Sequence, residues 1–253
     1  MADVYFIGAG PGDPELITMK GRRLLDAADL VIYAGSLVNP ALLEDLQGAV
    51  LDSAAMNLDE IVEHISSAVK AGKTIVRLHT GDPALYGAIT EQIDRLHALG
   101  ISTAIVPGVS SAFAGAAALG QELTIPEVSQ TVILTRMEGR TPVPLSESLR
   151  ALAQHRSTMV IFLSVGMAEQ VQDELLTAYA PETPIAIVEK ASWPDQRVIR
   201  GRLRNLARLV TDAGIKKTAL IYVGNALKAS ETQLGKESKL YNKNFRHGYR
   251  DRS

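Results

Sequence analysis

Short apolar runs alternate with helical patterns along most of the chain. The run Val4–Ile7 leads into a glycine-rich loop and a helical pattern that opens at Thr18, and Leu30–Tyr33 is the next apolar run. Residues 58–69 carry apolar side chains at helical spacing, and the run at 74–78 follows them. Strand–helix alternation of this kind predicts a largely parallel sheet with helices on its faces.

The pattern continues to about residue 223 with one interruption. A helix bearing Ile89, Ile93 and Leu96 precedes a strand at 103–106 and a small-residue helix at 112–119. Residues 120–129 follow neither period and contain Pro126, which predicts a linker. Beyond it the pattern predicts strands at 131–136, 158–163, 184–189, 196–201 and 218–223, and helices at 146–155, 167–179 and 203–213. The run at 196–201 alternates charged and apolar side chains, which favours an antiparallel or edge strand.

The predicted fold class is therefore α/β, with two α/β domains at residues 1–119 and 130–230. Each domain is expected to have a mainly parallel or mixed sheet flanked by helices, with the active-site cleft between them. Residues 120–129 are the linker, and 231–253 form a polar C-terminal tail. In the tail Tyr241, Phe245 and Tyr249 are spaced by four, which fits either a flexible tail or a short helix on the body or a partner subunit.

Composition narrows the class of protein. With 253 residues, 46% hydrophobic and 21% charged, the chain can bury a large core, and its net charge of −2 gives no argument for nucleic acid or a membrane surface. The absence of cysteine excludes thiolate catalysis and thiolate zinc sites, and the five dispersed histidines predict no metal site. The chain contains no apolar stretch of about 18 residues and enters a strand without a basic leader, so we expect a cytoplasmic protein.

Three unusual loops follow predicted strands, at residues 8–16, 80–87 and 107–111. Because the carboxyl ends of parallel strands lie at one edge of the sheet, these loops should converge there and hold a ligand. Gly8-Ala9-Gly10 begins a dinucleotide-binding pattern, but Asp13 replaces the third glycine. Ala34 follows the next strand, so the acidic residue that would bind a ribose is also missing. A nicotinamide dinucleotide is therefore the poorer interpretation.

The same loops carry a resemblance to the tetrapyrrole (corrin/porphyrin) methyltransferase family. The similar segments, in order, are Val4–Gly21, Arg77–Gly87 and Val106–Ser111. The resemblance implies an enzyme that uses S-adenosylmethionine in a cleft between two α/β domains, forms S-adenosylhomocysteine and assembles as a homodimer. Val31–Asn39, Asp52–Ala54 and the tail segment Ser238–Tyr241 are most similar to the branch that methylates C-11 of precorrin-4 in cobalamin synthesis.

The resemblance also implies which residues contact the methyl donor. Carried over position by position, the contacts are Pro11, Thr80, Gly81, Asp82, Leu85, Tyr86, Ser110, Ser111, Leu163, Ala191 and Ala219. Ordinary structural roles compete at several of them, since Asp and Pro form turns and serine caps helices. Ala34 stands where the family's uroporphyrinogen methyltransferases carry an aspartate assigned as a base, so no catalytic base is inherited.

The residues themselves permit this chemistry. Methyl transfer from a sulfonium to a ring carbon needs the reacting atoms held in line in a dry site, and the chain shows no Ser–His–Asp or paired-carboxylate arrangement. The substrate would be a polyanionic tetrapyrrole bound by basic side chains. Candidates near strand ends are Lys20, Arg22, Arg77, Arg136, Arg140, Lys190 and Arg197.

Several alternatives stay open on the sequence. Within the family the substrate could be cobalt-precorrin-4 or another tetrapyrrole. Ribosomal RNA and a diphthine intermediate are less favoured alternatives, and the chain lacks the surplus of basic residues that RNA binding would need. From other classes, a nucleotide-dependent oxidoreductase and a non-catalytic ligand sensor remain, and turnover with adenosylmethionine separates the sensor from an enzyme.

Overall fold

The computed structural model describes residues 2–230 and Arg246, with the side chains of Ser36, Ala229 and Ser230 left out. The predictions made for Tyr241, Phe245, Tyr249 and the segment Ser238–Tyr241 therefore lie outside the described residues. The chain divides into two compact units. The first consists of residues up to Ala114 together with Lys190–Gln196, and the second of Gly115–Glu189 and the chain from Arg197 onward. The boundaries drawn from the sequence stay a prediction.

The first unit contains a five-stranded sheet. Its strands are β1 (Val4–Gly8), β2 (Leu30–Tyr33), β3 (Ala49–Asp52), β4 (Ile75–His79) and β5 (Thr103–Val106), in the spatial order β3-β2-β4-β1-β5. Every pairing in this sheet is parallel. Its helices are α1 (Met19–Asp26), α2 (Leu58–Lys70), α3 (Thr90–Ala98) and the start of α4 (Ser111–Ala118). α2 was predicted from its apolar spacing, and the structure shows that it begins with a capping box between Asn57 and Glu60.

Both faces of the first sheet are buried. Phe6, Ile32 and Ile75 pack on the face covered by α2 and α3. Ile7 and Leu78 pack on the opposite face with Leu25 of α1. Because both faces are covered at the centre of the sheet, β1 and β2 are continuous apolar runs.

The second unit contains a mixed five-stranded sheet. Its strands are β6 (Val132–Arg136), β7 (Thr158–Phe162), β8 (Pro184–Glu189), β9 (Arg197–Arg202) and β10 (Ala219–Val223), in the order β6-β7-β10-β8-β9. The β6–β7 pair is parallel, and the other pairs are antiparallel. Its helices are α5 (Leu149–Ala153), α6 (Ala168–Leu176) and α7 (Leu206–Asp212). Met159, Ile187 and Ile221 from three strands meet Val171 of α6 in its core.

The predicted fold class is confirmed, with one parallel and one mixed sheet flanked by helices. The strand with alternating charges is β9, which is antiparallel and lies at the edge of its sheet as predicted. The pattern missed β3, whose residues Ala49, Val50 and Asp52 are exposed at the sheet edge. The predicted helix at 203–213 begins with a 3-10 turn at Leu203–Asn205, and its α-helical part starts at Leu206.

Candidate functional site

The carboxyl edge of the first sheet brings the three loops together. β1 lies between β4 and β5, so the loops that follow these strands leave the sheet side by side. Gly10 and Gly81 form a two-way bridge, in which the Gly81 N–H donates to the Gly10 carbonyl at 2.7 Å and the Gly10 N–H donates back at 3.2 Å. The Thr18 hydroxyl donates to the carbonyl of Pro107 at 3.5 Å. The loops therefore form one connected surface of main chain.

Glycines allow this close approach. A Cβ added to Gly8 would lie 2.5 Å from the Gly81 carbonyl oxygen and 2.6 Å from the Gly108 Cα. A Cβ on Gly108 would lie 2.1 Å from the same oxygen. Gly81 differs, because its φ of +62° favours glycine while the nearest atom to an added Cβ, the Ser110 Cα, is 3.9 Å away. The main chain is thus packed too tightly for a side chain at Gly8 and Gly108, whereas an added Cβ at Gly81 would make ordinary van der Waals contacts and only its φ favours glycine.

Asp82 joins two of the loops through its carboxylate. One oxygen accepts a hydrogen bond from the Gly108 N–H at 2.9 Å, and the other accepts one from the Ala84 N–H at 2.8 Å. The Asp82 carbonyl accepts from the Leu85 N–H at 3.2 Å, which closes a turn. The first role of this aspartate is therefore to hold the shape of the loops. The sequence alone did not distinguish a turn-forming role of Asp82 from a ligand contact.

The rest of the second loop surrounds this turn. Thr80 and Leu85 are half-buried, and Tyr86 is 43% exposed with a φ of +58°. Ala88 also has a positive φ, of +48°. Strained backbone at non-glycine residues is held only where the surroundings determine it, and it is common at ligand sites.

Ser110 caps helix α4. Its hydroxyl oxygen accepts a hydrogen bond from the Ala112 N–H at 3.3 Å, and its carbonyl accepts from Phe113 and Ala114. Ser110 is buried, and Ser111, the first residue of the helix, is half-buried. Both serines border Gly81, since Ser110 Cα and Ser111 N are each 3.9 Å from the position of an added Cβ.

The first loop is contacted by the segment between β8 and β9, which belongs to the first unit. The Trp193 indole N–H donates to the Pro11 carbonyl at 3.0 Å, and the Asp13 N–H donates to the Ser192 hydroxyl at 3.0 Å. Ala191 in the same segment is buried. Sequence reasoning selected Pro11 and Ala191 but missed Trp193 and Ser192. The signal was a lone tryptophan in a turn-forming Ser-Trp-Pro-Asp stretch directly after a strand.

Two of the expected contact residues belong to the second unit. Leu163 directly follows β7, with a φ of +54° and 68% of its surface exposed, which is unusual for a large apolar side chain. Ala219 is the buried first residue of β10 and pairs with Glu189. The structure thus assembles the first-unit residues at one edge, and the donor contacts expected of these residues and of Leu163 and Ala219 all stay predictions.

Two charged or titratable side chains are buried under the edge. Arg77 donates to Gln92 Oε1 at 3.0 Å and to the Ile32 carbonyl at 3.1 Å, and burial lowers its pKa to about 10 although Asp52 acts in the opposite direction. His79 stacks on Phe6, with 5.8 Å between the ring centroids. Burial, and then the charge of Arg77, lower the pKa of His79 to about 3, so its imidazole is neutral near pH 7.

Most of the basic side chains proposed for substrate binding already have partners. Arg22, Lys190 and Arg197 form ion pairs with Asp26, Asp195 and Glu189. Arg136 donates to the carbonyls of Met137, Thr141 and Pro142, and Arg77 is buried. Lys20 and Arg140 are exposed and have no ion pair within the described part of the chain. These two are the candidates that stay available for a carboxylate.

Two further findings, on metal-binding side chains and on membrane-spanning helices, apply to the described residues alone. Between residues 2 and 230 no three His, Asp or Glu side chains are grouped so that they could hold a metal ion. Within the same part of the chain no helix combines the length and apolarity that crossing a bilayer requires.

Comparison with known proteins gives the same family over most of the chain. The family model for tetrapyrrole (corrin/porphyrin) methylases matches residues 3–207. A cobalt-precorrin-4 C(11)-methyltransferase of Methanocaldococcus jannaschii is 56% identical over 250 residues, which cover 98% of this chain and 95% of that protein. A precorrin-4 C(11)-methyltransferase of Pseudomonas aeruginosa is 50% identical over 248 residues, covering 98% of each chain.

Two solved structures are also similar to this chain. The crystal structure of a cobalt precorrin-4 methyltransferase of cobalamin biosynthesis superposes with a TM-score of 0.87 at 48% identity, covering 88% of this chain and 95% of that one. A uroporphyrin-III C-methyl transferase from Thermus thermophilus, solved in complex with S-adenyl homocysteine, has a TM-score of 0.76 at 31% identity and covers 89% and 99%.

Proposed function

The chain belongs to the tetrapyrrole (corrin/porphyrin) methylase family, and from that premise we propose that it transfers a methyl group from S-adenosylmethionine to C-11 of precorrin-4. The observation that carries this proposal is the full-length similarity to two relatives that are both named for methyl transfer at C(11). The converging loops of the first unit support it, because they supply a main-chain surface for a donor at the place where parallel sheets bind ligands.

The donor site consists of the residues that the sequence analysis selected. In the first unit these are Pro11, Thr80, Gly81, Asp82, Leu85, Tyr86, Ser110, Ser111 and Ala191, with Leu163 and Ala219 from the second. Gly81 lies at the centre of this proposed site, because it is bordered by Ser110 and Ser111 and is joined to Gly10 by two main-chain hydrogen bonds.

Adenosylmethionine, when bound, would supply an electrophilic methyl group on a sulfonium, so that the ring carbon bonds to that methyl carbon as its bond to sulfur breaks and adenosylhomocysteine leaves. The residues of this chain act mainly by positioning the reactants, not by reacting with them. Asp82 and the glycines at 8 and 108 hold the loops rigidly, so that the donor is oriented without further ordering of the protein. No side chain here is proposed as a general base. His79 is a poor one because its lowered pKa, about 3, disfavours accepting a proton.

The proposal also specifies whether the substrate ring carries cobalt. One relative is named for cobalt-precorrin-4 and the other for precorrin-4, and the cobalt in the first case belongs to the substrate. We take metal-free precorrin-4 as the substrate and cobalt-precorrin-4 as the alternative. A direct competition between the two rings, with the rate constant for each, distinguishes them.

Turnover tests the function. Purified protein is incubated with either ring and carbon-labelled adenosylmethionine, and the product is analysed by mass spectrometry and by assignment of the labelled carbon. We expect one labelled methyl group at C-11. Methylation at another ring carbon overturns the assigned position, and no transfer to either ring under conditions where adenosylhomocysteine binds overturns the enzymatic assignment. The variant Gly166→Ala, at an exposed position in the second unit, is the activity control.

The proposal extends to assembly and location. We place the enzyme in the cytoplasm as a homodimer without a nucleic-acid partner. The net charge of −2 supports the last point, since a nucleic-acid-binding protein of this size is expected to carry a basic surplus. Light scattering on the purified protein at two concentrations tests the dimer, and a mass equal to one chain contradicts it.

A further inference from the structure

The loop Gly10–Asp13 has its polar main-chain groups occupied by side chains from distant parts of the sequence. The Pro11 carbonyl accepts from the Trp193 indole at 3.0 Å, and the Gly12 carbonyl accepts from the Asn39 side-chain amide at 2.7 Å. The Asp13 N–H donates to the Ser192 hydroxyl at 3.0 Å. Three consecutive residues are thus each held by a separate side chain, and two of those side chains are neighbours, Ser192 and Trp193.

The indole also fills the space where a side chain at position 12 would lie. A Cβ on Gly12 would be 2.1 Å from Trp193 Cδ1 and 2.2 Å from its Nε1. Gly12 has no positive φ, so its glycine is explained by contact with the indole and not by backbone conformation. The tryptophan therefore determines both the hydrogen bonding and the packing of this loop.

The segment that carries the tryptophan is itself well ordered by internal contacts. The Trp193 N–H donates to the Lys190 carbonyl, the Gln196 N–H donates to the Trp193 carbonyl, and the Gln196 side chain accepts from the Ser192 N–H at 2.7 Å. Lys190 forms an ion pair with Asp195. Lys190 and Ser192 have φ angles of +48° and +68°, a strained conformation that is maintained by these contacts.

We propose that Trp193 is a positioning residue for methyl-donor binding, which holds Pro11 and Gly12 in the conformation that accepts adenosylmethionine. The inference rests on the proposed function, because it assigns the loop beside Gly81 to the donor. In this proposal the indole acts on the donor through the main chain of Pro11, to whose carbonyl its N–H donates. Without the indole, the Pro11 carbonyl loses its partner and the space beside Gly12 opens, so the loop samples other conformations and the donor must reorder it.

The test measures affinity and not activity. Trp193→Phe removes the N–H donor and keeps an aromatic ring, and Ser192→Ala removes the acceptor of the Asp13 N–H. The control is Tyr179→Phe, which removes a hydrogen bond of the same kind, from a buried hydroxyl to the Ser157 carbonyl, in the second unit. Adenosylhomocysteine binding to each protein is measured by calorimetric titration, with circular dichroism and thermal unfolding as checks on folding.

We expect the dissociation constant for adenosylhomocysteine to rise at least about fivefold in Trp193→Phe and to change less than about twofold in Tyr179→Phe. Trp193 is the single tryptophan of the chain, so its emission should also change as adenosylhomocysteine saturates the wild-type protein. An affinity within about twofold of wild type in Trp193→Phe overturns the positioning role of the indole and leaves the proposed function standing. If Trp193→Phe does not fold, the Ser192→Ala affinity and the wild-type emission decide. Failure of wild-type protein to bind adenosylhomocysteine contradicts the donor assignment itself.

Discussion

Asp82 and Gly108 are joined by a hydrogen bond of 2.9 Å from the Gly108 main-chain N–H to the Asp82 carboxylate. The two residues lie in loops that follow different strands, β4 and β5, with β1 between them. The bond therefore crosses over the end of β1 next to Gly8, whose missing side chain leaves room for it. This one contact explains why an aspartate and two glycines occur at these positions.

Replacing Asp82 by Asn tests the hydrogen bonds. An amide has the same shape but one oxygen, so of the two N–H groups that the carboxylate accepts, one would face the NH₂ group. We expect the free energy of unfolding to fall by about 1–3 kcal/mol and the affinity for adenosylhomocysteine to fall about tenfold. Asp59→Asn, which removes an exposed ion pair with Arg95 and a charge in the first turn of α2, should leave the affinity unchanged and lower the free energy of unfolding by less than about 1 kcal/mol. Equal donor affinity in the two variants would remove Asp82 from the site.

Replacing Gly108 by Ala tests the main-chain packing. The new Cβ would lie 2.1 Å from the Gly81 carbonyl oxygen, so the loops must separate. Overpacking of this severity should lower the free energy of unfolding by about 3 kcal/mol, measured by urea denaturation. Gly166→Ala places a Cβ 3.6 Å from its nearest neighbour, at a position without positive φ, and should change stability little. If the two variants are equally stable, the close approach of the loops is wrong.

A double-mutant cycle between Gly12 and Trp193 tests the indole contact. Gly12→Ala alone should be destabilising, because its Cβ overlaps the indole at 2.1 Å. In a Trp193→Ala background the same change should cost about 1–3 kcal/mol less, since the overlapping ring is gone. The free energies of unfolding of the four proteins give this coupling. Additive effects would mean that the two residues do not touch.

The stability of the protein should depend on pH through His79. Burial lowers the pKa of His79 from 6.5 to about 3 in the folded protein, so between those values the unfolded chain binds a proton that the folded one does not. The free energy of unfolding should therefore decrease as the pH falls through this window, by up to about 1.4 kcal/mol per pH unit from this group. His79→Gln should reduce that slope, and His64→Gln, at an exposed position, should not. Identical slopes in wild type and His79→Gln would show that His79 titrates normally.

The regular elements were predictable because their patterns are local. The strand at Thr103–Val106 and the one at 184–189 were predicted with the bounds that the structure has. β3 was missed since an exposed edge strand has no apolar period, and only pairing with β2 makes it a strand. The convergence of the three loops was also predictable, as it follows from parallel strands ending at one edge.

The roles of individual side chains were not predictable, because they depend on contacts between residues far apart in sequence. Nothing local in the sequence tells that Trp193 binds Pro11 across 182 positions. The sequence likewise presented Arg77 as a possible substrate contact, and only the fold shows that it is buried against Gln92. Gly12 lies in the loop at 8–16 that the sequence predicted to hold a ligand, and its neighbour is an indole.

A crystal structure of the protein with S-adenosylhomocysteine tests the central claim most directly. We expect density for the ligand against the main chain of Gly81, beside Ser110 and Ser111, and with Pro11 in contact. Density for the ligand at a place that none of these residues reaches would contradict the account, even if the protein proved to be a methyltransferase.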